Sequence, residues 1–291
     1  MAMEETKDRS RPAEAIRTTI EYLVPTSRIN RRFWAPGKEF NTGIYQPYPV
    51  TICNARLARQ PFTLDKHGFC LARYPSAVTD FTDPAQLEIY PDEVAKVAMA
   101  LTGANFIIPM GGQLRSPLIA GEAYQPPAAE AHVDFNSSTA HKIARRLYAA
   151  ARPDGPDFER FIAFSLWRTF SPAPQDWPLA LCEGPSVGEE DSVANVKIDV
   201  DEIPEGDALY APIPGEEDMV AATIFKFSAE HRWWYFPDMT RDEVIFIKFH
   251  DSDHNRAWRA PHTAFHDTSR PDAAIRESYE FRAIAYFERS Q

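Results

Sequence analysis

Apolar and polar residues alternate over much of the chain, and this pattern predicts a mostly β protein. A period of two is typical of strands that pack one face on a core and turn the other face to water. The segments with this pattern, or with a short apolar run between turn residues, are 18–24, 50–57, 69–74, 105–109, 131–135, 161–170, 179–182, 222–227, 233–236, 244–249, 258–265 and 278–287. The pair Gly111 and Gly112 is expected to end the strand at 105–109.

Two segments carry helix signals instead. Asp83-Pro84 suits a first helical turn, and apolar residues then keep a helical spacing from Asp92 to the glycine at position 103, a residue type that often ends a helix. Residues 137–139 are serine or threonine, which are good N-caps for a helix to about Ala151.

Few helices and many closely spaced strands favour a mostly β fold with flanking helices, built on a double-stranded β-helix core of the jelly-roll, cupin-like kind. We expect residues 1–17, which are charged and poor in apolar anchors, to form a disordered leader. Residues 18–291 then form a single domain, a jelly roll with an N-terminal α/β extension. The segment 25–49 is expected to be a loop, and the acidic segment 186–218 a loop or mobile lid with at most one short strand.

The formal net charge of −11 narrows the expected partners. Nucleic acids and anionic membranes attract basic protein faces, so we expect neither as a partner, and no apolar run is long enough to span a bilayer. Cys53, Cys70 and Cys182 are widely spaced and form no metal-binding pattern, which is typical of thiols in a reducing compartment. The expected location is cytoplasmic, and a homodimer is left open.

The first candidate chemistry is in the strand 131–135. His132 and Asp134 are two positions apart, so their side chains share one face of a strand. Such a pair is common on ordinary strands and by itself also fits a surface position. Two histidines and one carboxylate, however, form the facial triad of non-haem Fe(II) oxygenases, and further histidines follow near the C-terminus.

His262 and His266 are the two candidates for the third ligand, and their spacing alone does not separate them. His262 lies within the predicted strand 258–265, whereas His266 begins the following loop. A ligand is held better on a rigid strand, which favours His262. Of the other histidines, His141 is expected on a basic helix face, and His250 and His254 in a charged, solvent-exposed turn.

Arg276 and Ser278 follow at the start of the last strand. An arginine fork and a nearby hydroxyl are suited to bind the far carboxylate of a dicarboxylate co-substrate.

Several longer blocks carry a family resemblance. The chain resembles the fungal hydroxylase/desaturase family that includes gibberellin desaturases and the aspergillic-acid hydroxylase/desaturase. The matching blocks are 88–103, His132 to Asp134, Trp167-Arg168, 175–182 (QDWPLALC), 231–239 (HRWWYFPDM), 261–265 (PHTAF) and Arg276 to Ser278. The PHTAF block supports His262 over His266. Residues 109–115 depart from the family pattern, in which an aromatic residue, an aspartate and a histidine precede the arginine, and this departure concerns the substrate pocket rather than the iron site.

The resemblance implies an Fe(II)/2-oxoglutarate-dependent dioxygenase that uses O2 to oxidise a C–H bond of a small natural product in secondary metabolite biosynthesis. His132, Asp134 and His262 would bind Fe(II), 2-oxoglutarate would chelate it, and Arg276 with Ser278 would hold the far carboxylate. Hydroxylation, desaturation and oxidative cyclisation remain open.

Four residues are candidates for the substrate pocket. Arg115 and Arg168 lie on predicted strands and fit either a structural ion pair, a solvent-facing position or a role near the ligands. Trp234 and Phe236 are alternate members of an aromatic run, of which only some side chains can face a site.

Two other classes of protein fit part of the pattern. One is a jelly-roll metal enzyme that does not use 2-oxoglutarate, such as a cupin-like isomerase or oxidase, and Arg276 with Ser278 speaks against it. The other is a non-catalytic partner subunit, against which the complete set of predicted ligands speaks.

Overall fold

The computed structural model describes residues 13–27, 29–116 and 127–289. Its first strands are β1 (Ala15–Leu23), β2 (Arg31–Ala35), β3 (Lys38–Asn41), β4 (Tyr45–Asn54), β5 (Phe69–Arg73), β6 (Phe106–Arg115), β7 (His132–Asp134) and β8 (Phe158–Thr169). The later strands are β9 (Leu179–Cys182), β10 (Ser192–Asp199), β11 (Val220–Phe225), β12 (Trp233–Tyr235), β13 (Glu243–Asp251), β14 (His262–Ala264) and β15 (Ser278–Glu288).

Helices are few in the described part of the chain. The α-helices are α1 (Leu64–His67), α2 (Pro84–Leu87), α3 (Tyr90–Thr102) and α4 (Ser137–Ala151). Short 3₁₀ turns cover Ala55–Leu57, Gly184–Ser186, Gly206–Tyr210 and Glu216–Asp218. Of the predicted leader, residues 1–12 lie outside the described residues. Strand β1 begins at Ala15, so the last three residues of the predicted leader belong to this strand.

The described strands form two sheets. The larger has the order β1-β4-β12-β9-β14-β7-β11-β10-β2-β3, and the smaller has the order β5-β13-β8-β15-β6. Neighbours in these sheets are mostly far apart in sequence, as expected when one chain alternates between two packed sheets. The predicted mostly β fold with flanking helices is confirmed.

Strand β15 contributes to two cores because its side chains alternate between its faces. Ile284 packs in the core that both sheets share, and Phe281 packs in a second core together with α3. The polar residues that precede Ile284 in β15 with the same parity are Ser278, Glu280 and Arg282. This alternation places a polar strip on the face of the smaller sheet that meets the larger one.

Helix α4 begins immediately after β7 and fixes the end of that strand. Its N-cap is Asn136, one residue before the predicted caps, and Asn136 Oδ1 accepts a hydrogen bond from the backbone N–H of Thr139 at 2.9 Å. The Thr139 hydroxyl accepts one in return from the backbone N–H of Asn136 at 3.2 Å, which completes a capping box. Phe135 makes the turn between strand and helix with a positive φ of 66°.

Strand β6 continues through Gly111 and Gly112, so the prediction that they end it is wrong. The register to β15 shifts between Arg282 and Ala283, and Gly111 has a φ of +115° at this bulge. A Cβ on Gly112 would lie 2.1 Å from the hydroxyl of Tyr279. The two glycines are therefore needed for a bulge and a close contact within the strand.

The loop predictions for 25–49 and 186–218 are wrong in part. The first segment contains β2, β3 and the start of β4, and the second contains the eight-residue strand β10, which pairs with β11 and β2. Val196 of β10 is buried. Most acidic residues lie on either side of β10, so the composition of the whole segment hid it. In contrast, the predicted strand 258–265 is reduced to the three residues of β14.

A buried ion-pair cluster holds the start of the loop that leads from β13 to β14. Lys248 Nζ lies 2.6 Å from Asp251 Oδ2 and donates to the carbonyl oxygen of Ala257 at 3.0 Å. Arg160 donates two hydrogen bonds to the same carboxylate, at 2.9 and 2.6 Å. Burial alone raises the pKa of Asp251, but Arg160 and Lys248 outweigh it and hold the pKa below its ordinary value.

We expect Asp251→Asn to lower the free energy of unfolding by about 3 kcal/mol, because it removes the buried carboxylate that pairs with the buried Lys248 and the partly buried Arg160. Urea denaturation followed by far-UV circular dichroism measures this. The control is Asp199→Asn, because the pair between Asp199 and Lys197 is exposed and such pairs contribute little. Equal midpoints for the two variants would contradict a stabilising role of the cluster.

Candidate active site

Two of the predicted metal ligands face each other on neighbouring strands. His132 on β7 is directly opposite His262 on β14, and residues opposite each other share one face of a sheet. The ring centroids are 4.6 Å apart. Both rings line a cavity whose walls come from both sheets.

Backbone carbonyls fix the tautomer of both rings. His132 Nδ1 lies 2.9 Å from the carbonyl oxygen of Glu130, and His262 Nδ1 lies 3.2 Å from that of Ala260. A carbonyl only accepts, so each Nδ1 carries a proton, and in the neutral form of each ring Nε2 carries the lone pair. Burial, strengthened by the neighbouring His132, lowers the pKa of His262 to about 3. The ring is thus neutral at neutral pH, as a metal ligand must be.

Asp134 shares the face of His132 but is paired with an arginine. Its Oδ2 lies 2.8 Å from Arg282 Nε, without the geometry of a hydrogen bond. The same Nε lies 2.7 Å from Glu280 Oε1. Within the described residues, no group of three or more His, Cys, Asp or Glu side chains is arranged to hold a metal ion. The structure thus brings two of the three predicted ligands together and places the third against Arg282.

A carboxylate that sequence reasoning did not identify lines the same cavity. Glu280 is 7% exposed, and its Oε2 lies 3.4 Å from Arg115 Nη2. Burial alone raises the pKa of Glu280, but the charges of Arg282 and Arg115 outweigh it and hold the pKa well below its ordinary value. Arg115 therefore lines the cavity and is also part of an ion pair, which combines two of the alternatives considered for it.

Of the predicted co-substrate anchor, Arg276 lines the cavity. Arg276 is 3% exposed and has its guanidinium 5.6 Å from the centre of the Trp167 ring. Its Nη1 donates to the carbonyl oxygen of Trp177, and its backbone N–H donates to Asp176, each at 2.8 Å. Ser278 is buried, and its hydroxyl has no hydrogen-bond partner among the residues that the structure describes.

Comparison with known proteins identifies the family. A family model described as an oxidoreductase/YMDC permease-like domain matches residues 20–286. The hydroxylase/desaturase efuI of Hormonema carpetanum is 30% identical over 262 residues, which is 84% of this chain and 85% of that protein. The chain belongs to the hydroxylase/desaturase family.

Other members of this family carry more specific names. The Fe(II)/2-oxoglutarate-dependent dioxygenase nvfI of Aspergillus novofumigatus is 26% identical over 263 residues, 86% of this chain and 87% of that protein. A solved structure of the iron and alpha-ketoglutarate-dependent endoperoxidase NvfI superimposes with a TM-score of 0.78, 24% identity, and coverage of 95% of this chain and 99% of that one. At this identity the structural match shows the fold alone.

The comparisons confirm several predictions for this hydroxylase/desaturase family member. The family and the jelly-roll fold are as predicted. The enzyme class, an Fe(II)/2-oxoglutarate-dependent dioxygenase with Fe(II), 2-oxoglutarate and O2, is confirmed at the level of the family. The family model mentions a permease, but no α-helix in the described part of the chain has the length and apolarity that crossing a membrane requires.

The side chains present fit an Fe(II) site in donor type. Two imidazoles with free Nε2 lone pairs and a carboxylate on one sheet face are the donor set of a facial triad. The Ser278 hydroxyl, buried without a described partner, fits the acceptor oxygens of a carboxylate. The cavity encloses about 20 Å³, the space of about one water molecule, so a dicarboxylate requires its walls to move apart.

Arg168 lies away from this cavity. Alternation along β8 directs it to the second core, where its guanidinium donates to Tyr90 Oη at 2.9 Å and to the carbonyl oxygens of Arg241 and Tyr74 at 3.0 and 3.2 Å. These bonds join β8 to α3 and to two loops. Arg168 therefore has a structural role, but through hydrogen bonds to neutral groups rather than through the ion pair that was one of the alternatives.

Trp234 and Phe236 do not line the cavity either. Trp234 is opposite Leu181, which is itself opposite His262, so it shares the face of His262 two strands away. Its Nε1 donates to Glu183 Oε1 at 2.8 Å. The rings of Trp234 and Phe236 pack on Phe62, with centroids at 5.0 and 5.8 Å. They form an aromatic cluster beside the site.

Sequence reasoning missed three features of the site. The charges of Glu280 and Arg282 could have indicated the site, because both residues lie on the same strand face as Ser278 while the rest of the strand is mainly apolar. Ser165 lines the cavity and, like Ser278, has a buried hydroxyl without a described partner; it gave no sequence signal. His250 was expected to be exposed, which is wrong, because it is 1% exposed.

The positions of His262 and His266 differ in a way that metal binding can test. His266 is exposed and stacks on Trp177 with ring centroids 5.2 Å apart. We expect His262→Ala to weaken Co(II) binding, followed by its visible absorption, by more than about 100-fold, since losing a ligand costs more than losing its outer partner. His266→Ala serves as the matched control and should bind Co(II) like the unmodified protein. The reverse ranking would exchange the two assignments.

Proposed function

We propose that this protein is an Fe(II)/2-oxoglutarate-dependent oxygenase that oxidises a C–H bond of a small molecule in secondary metabolism. The observation that carries the proposal is the pair His132 and His262, opposite each other on paired strands with both Nδ1 atoms held by carbonyls. They line the same cavity as Arg276.

His132, Asp134 and His262 are the proposed iron ligands. Asp134 has to leave Arg282 to reach the metal, and Glu280 is close enough to Arg282 to keep that arginine paired. Once bound, Fe(II) with 2-oxoglutarate and O2 supplies the oxidising power, such that a substrate R–H gives R–OH together with succinate and CO2. Desaturation and oxidative cyclisation, which remove two hydrogens, use the same residues.

Arg276 and Ser278 are the proposed anchor of the far carboxylate of 2-oxoglutarate. Arg276 is held rigidly by Asp176 and Trp177, and a preorganised guanidinium loses little freedom when it binds a carboxylate. The Ser278 hydroxyl gains its missing partner in the same step. The site is enclosed by Trp167 and Ile247, and the exclusion of water strengthens both contacts.

The remaining expectations form part of the same proposal. Residues 18–291 act as one domain. The proposed location is the cytoplasm, because Cys53, Cys70 and Cys182 are free thiols. The partner is a small natural product rather than a nucleic acid or a membrane, as the charge of −11 indicates. A homodimer stays open.

The first test is the anaerobic visible spectrum with Fe(II) and 2-oxoglutarate. We expect a weak charge-transfer band that needs both additions. Ser278→Ala should raise the 2-oxoglutarate concentration for half-maximal absorbance about tenfold, and Arg276→Lys about 100-fold, as expected for one hydrogen bond and for a charged, two-pronged contact. Ser192→Ala, which removes a buried hydroxyl elsewhere, should leave the concentration unchanged.

A protein that binds metal without showing the band would be a cupin-like metal enzyme rather than a 2-oxoglutarate enzyme. Asp134→Ala then separates the remaining classes. An enzyme loses metal and turnover in this variant, whereas a non-catalytic partner subunit keeps its binding properties.

A further inference from the structure

A second cavity lies next to the candidate iron site. It encloses about 280 Å³. Phe249 lines it and stacks on the His262 ring with centroids 5.7 Å apart. Phe135, the residue after Asp134, lines it as well, 6.4 Å from the Phe249 ring. Phe249 therefore lies between this cavity and the ring of His262, one of the proposed ligands.

His250 is the most unusual residue in its wall. It is 1% exposed, and neither ring nitrogen has a hydrogen-bond partner among the described residues. The hydroxyl of Ser192, in the same wall, also lacks a described partner. A buried polar atom without a partner costs about 1–3 kcal/mol. Such atoms are rare in native proteins unless water or a ligand completes them.

Arg259 adds a buried cation, and a carboxylate lies in the same wall. It is 4% exposed and lies 4.2 Å from the centre of the Trp258 ring, and both residues line the cavity. Its Nη2 donates to the carbonyl oxygen of Gly188 at 3.2 Å. Glu189 lines the same cavity and opposes the effect of burial on this arginine. The wall therefore offers hydrogen-bond donors to the oxygen atoms of a ligand. The formal charges of Arg259 and Glu189 sum to zero.

We propose that this cavity binds the organic substrate, and that the substrate is an uncharged, planar ring compound whose oxygen substituent hydrogen-bonds to His250. The proposal rests on the proposed function and names its substrate class. Phe135, Phe249 and Trp258 present aromatic surfaces that suit a flat ring. A cavity of about 150 Å³ accepts benzene, so the larger volume here accommodates a two-ring compound.

The probes are 1-naphthol, naphthalene and 1-naphthoate, which share one ring system and differ in the polar group. Saturation-transfer NMR on the full chain without metal measures their dissociation constants. We expect 1-naphthol to bind about tenfold more tightly than naphthalene, the effect of one hydrogen bond in a dry site. We expect 1-naphthoate to bind no better than 1-naphthol, because Glu189 in the same wall repels its carboxylate and offsets the attraction of Arg259.

His250→Phe keeps an aromatic ring and removes both nitrogens, and it should abolish the preference for 1-naphthol over naphthalene. His266→Phe is the matched control and should retain it. Ala194→Trp fills the exposed mouth of the cavity and should weaken all three probes without disturbing the core. An unchanged preference in His250→Phe, or unchanged binding in Ala194→Trp, overturns the proposal. Tighter binding of 1-naphthoate overturns the uncharged class.

Paramagnetic relaxation links the cavity to the iron site. With Mn(II) in place of Fe(II), the protons of bound 1-naphthol should relax faster, and the effect should vanish in His262→Ala. If the Fe(II)/2-oxoglutarate band forms but Mn(II) leaves the probe unaffected, the cavity is not the substrate chamber. If no band forms while 1-naphthol still binds through His250, the proposed function fails and the ligand site remains.

Discussion

The pairing of β7 with β14 is the constraint on which the candidate site depends. Both strands have only three residues, and a slip of one position would turn His132 or His262 to the opposite face of the sheet. Hydrogen bonds outside the short strands prevent such a slip. The backbone N–H of Ala264 donates to Ala128 at 2.8 Å, and that of Cys182 donates to Pro261 at 2.7 Å. The capping box of α4 fixes the other end of β7.

One continuous block of sequence connects the two halves of the site. Asp176 and Trp177 hold the backbone and the guanidinium of Arg276, and the following residues form β9, which pairs with β14. The co-substrate anchor and the strand of His262 therefore depend on the same short stretch. This double role gives a physical reason for the specificity of the QDWPLALC block, which carries part of the family resemblance.

Much of the fold and part of the site followed from the sequence, because they depend on local patterns. Alternation identified most strands, and the choice of His262 over His266 followed from comparing a strand with a loop. The other features depend on contacts that are distant in sequence. His250 lies in a charged segment, yet a register shift between Lys248 and His250 marks its place in β13, and the side chain is buried among rings. The glycine pair in β6 is likewise explained by a distant contact, because Gly112 packs closely against Tyr279.

The charges around the site explain why metal and co-substrate are expected to bind together. Arg115 and Arg282 lie against the carboxylates of Glu280 and Asp134, and Arg276 lines the same cavity as Arg115 and Glu280. The formal charges of these five side chains sum to one positive charge. Fe(II) alone would add two positive charges to this enclosed group, whereas Fe(II) with a dicarboxylate leaves the sum unchanged, and unbalanced charge is costly where water is excluded.

Glu280 has a further consequence for this exchange. Its Oε1 is already 2.7 Å from the arginine nitrogen that Asp134 approaches. If Asp134 binds the metal as proposed, Arg282 therefore keeps a carboxylate partner. A buried cation left alone would oppose the movement of Asp134, so Glu280 would allow the proposed third ligand to leave without leaving Arg282 unpaired.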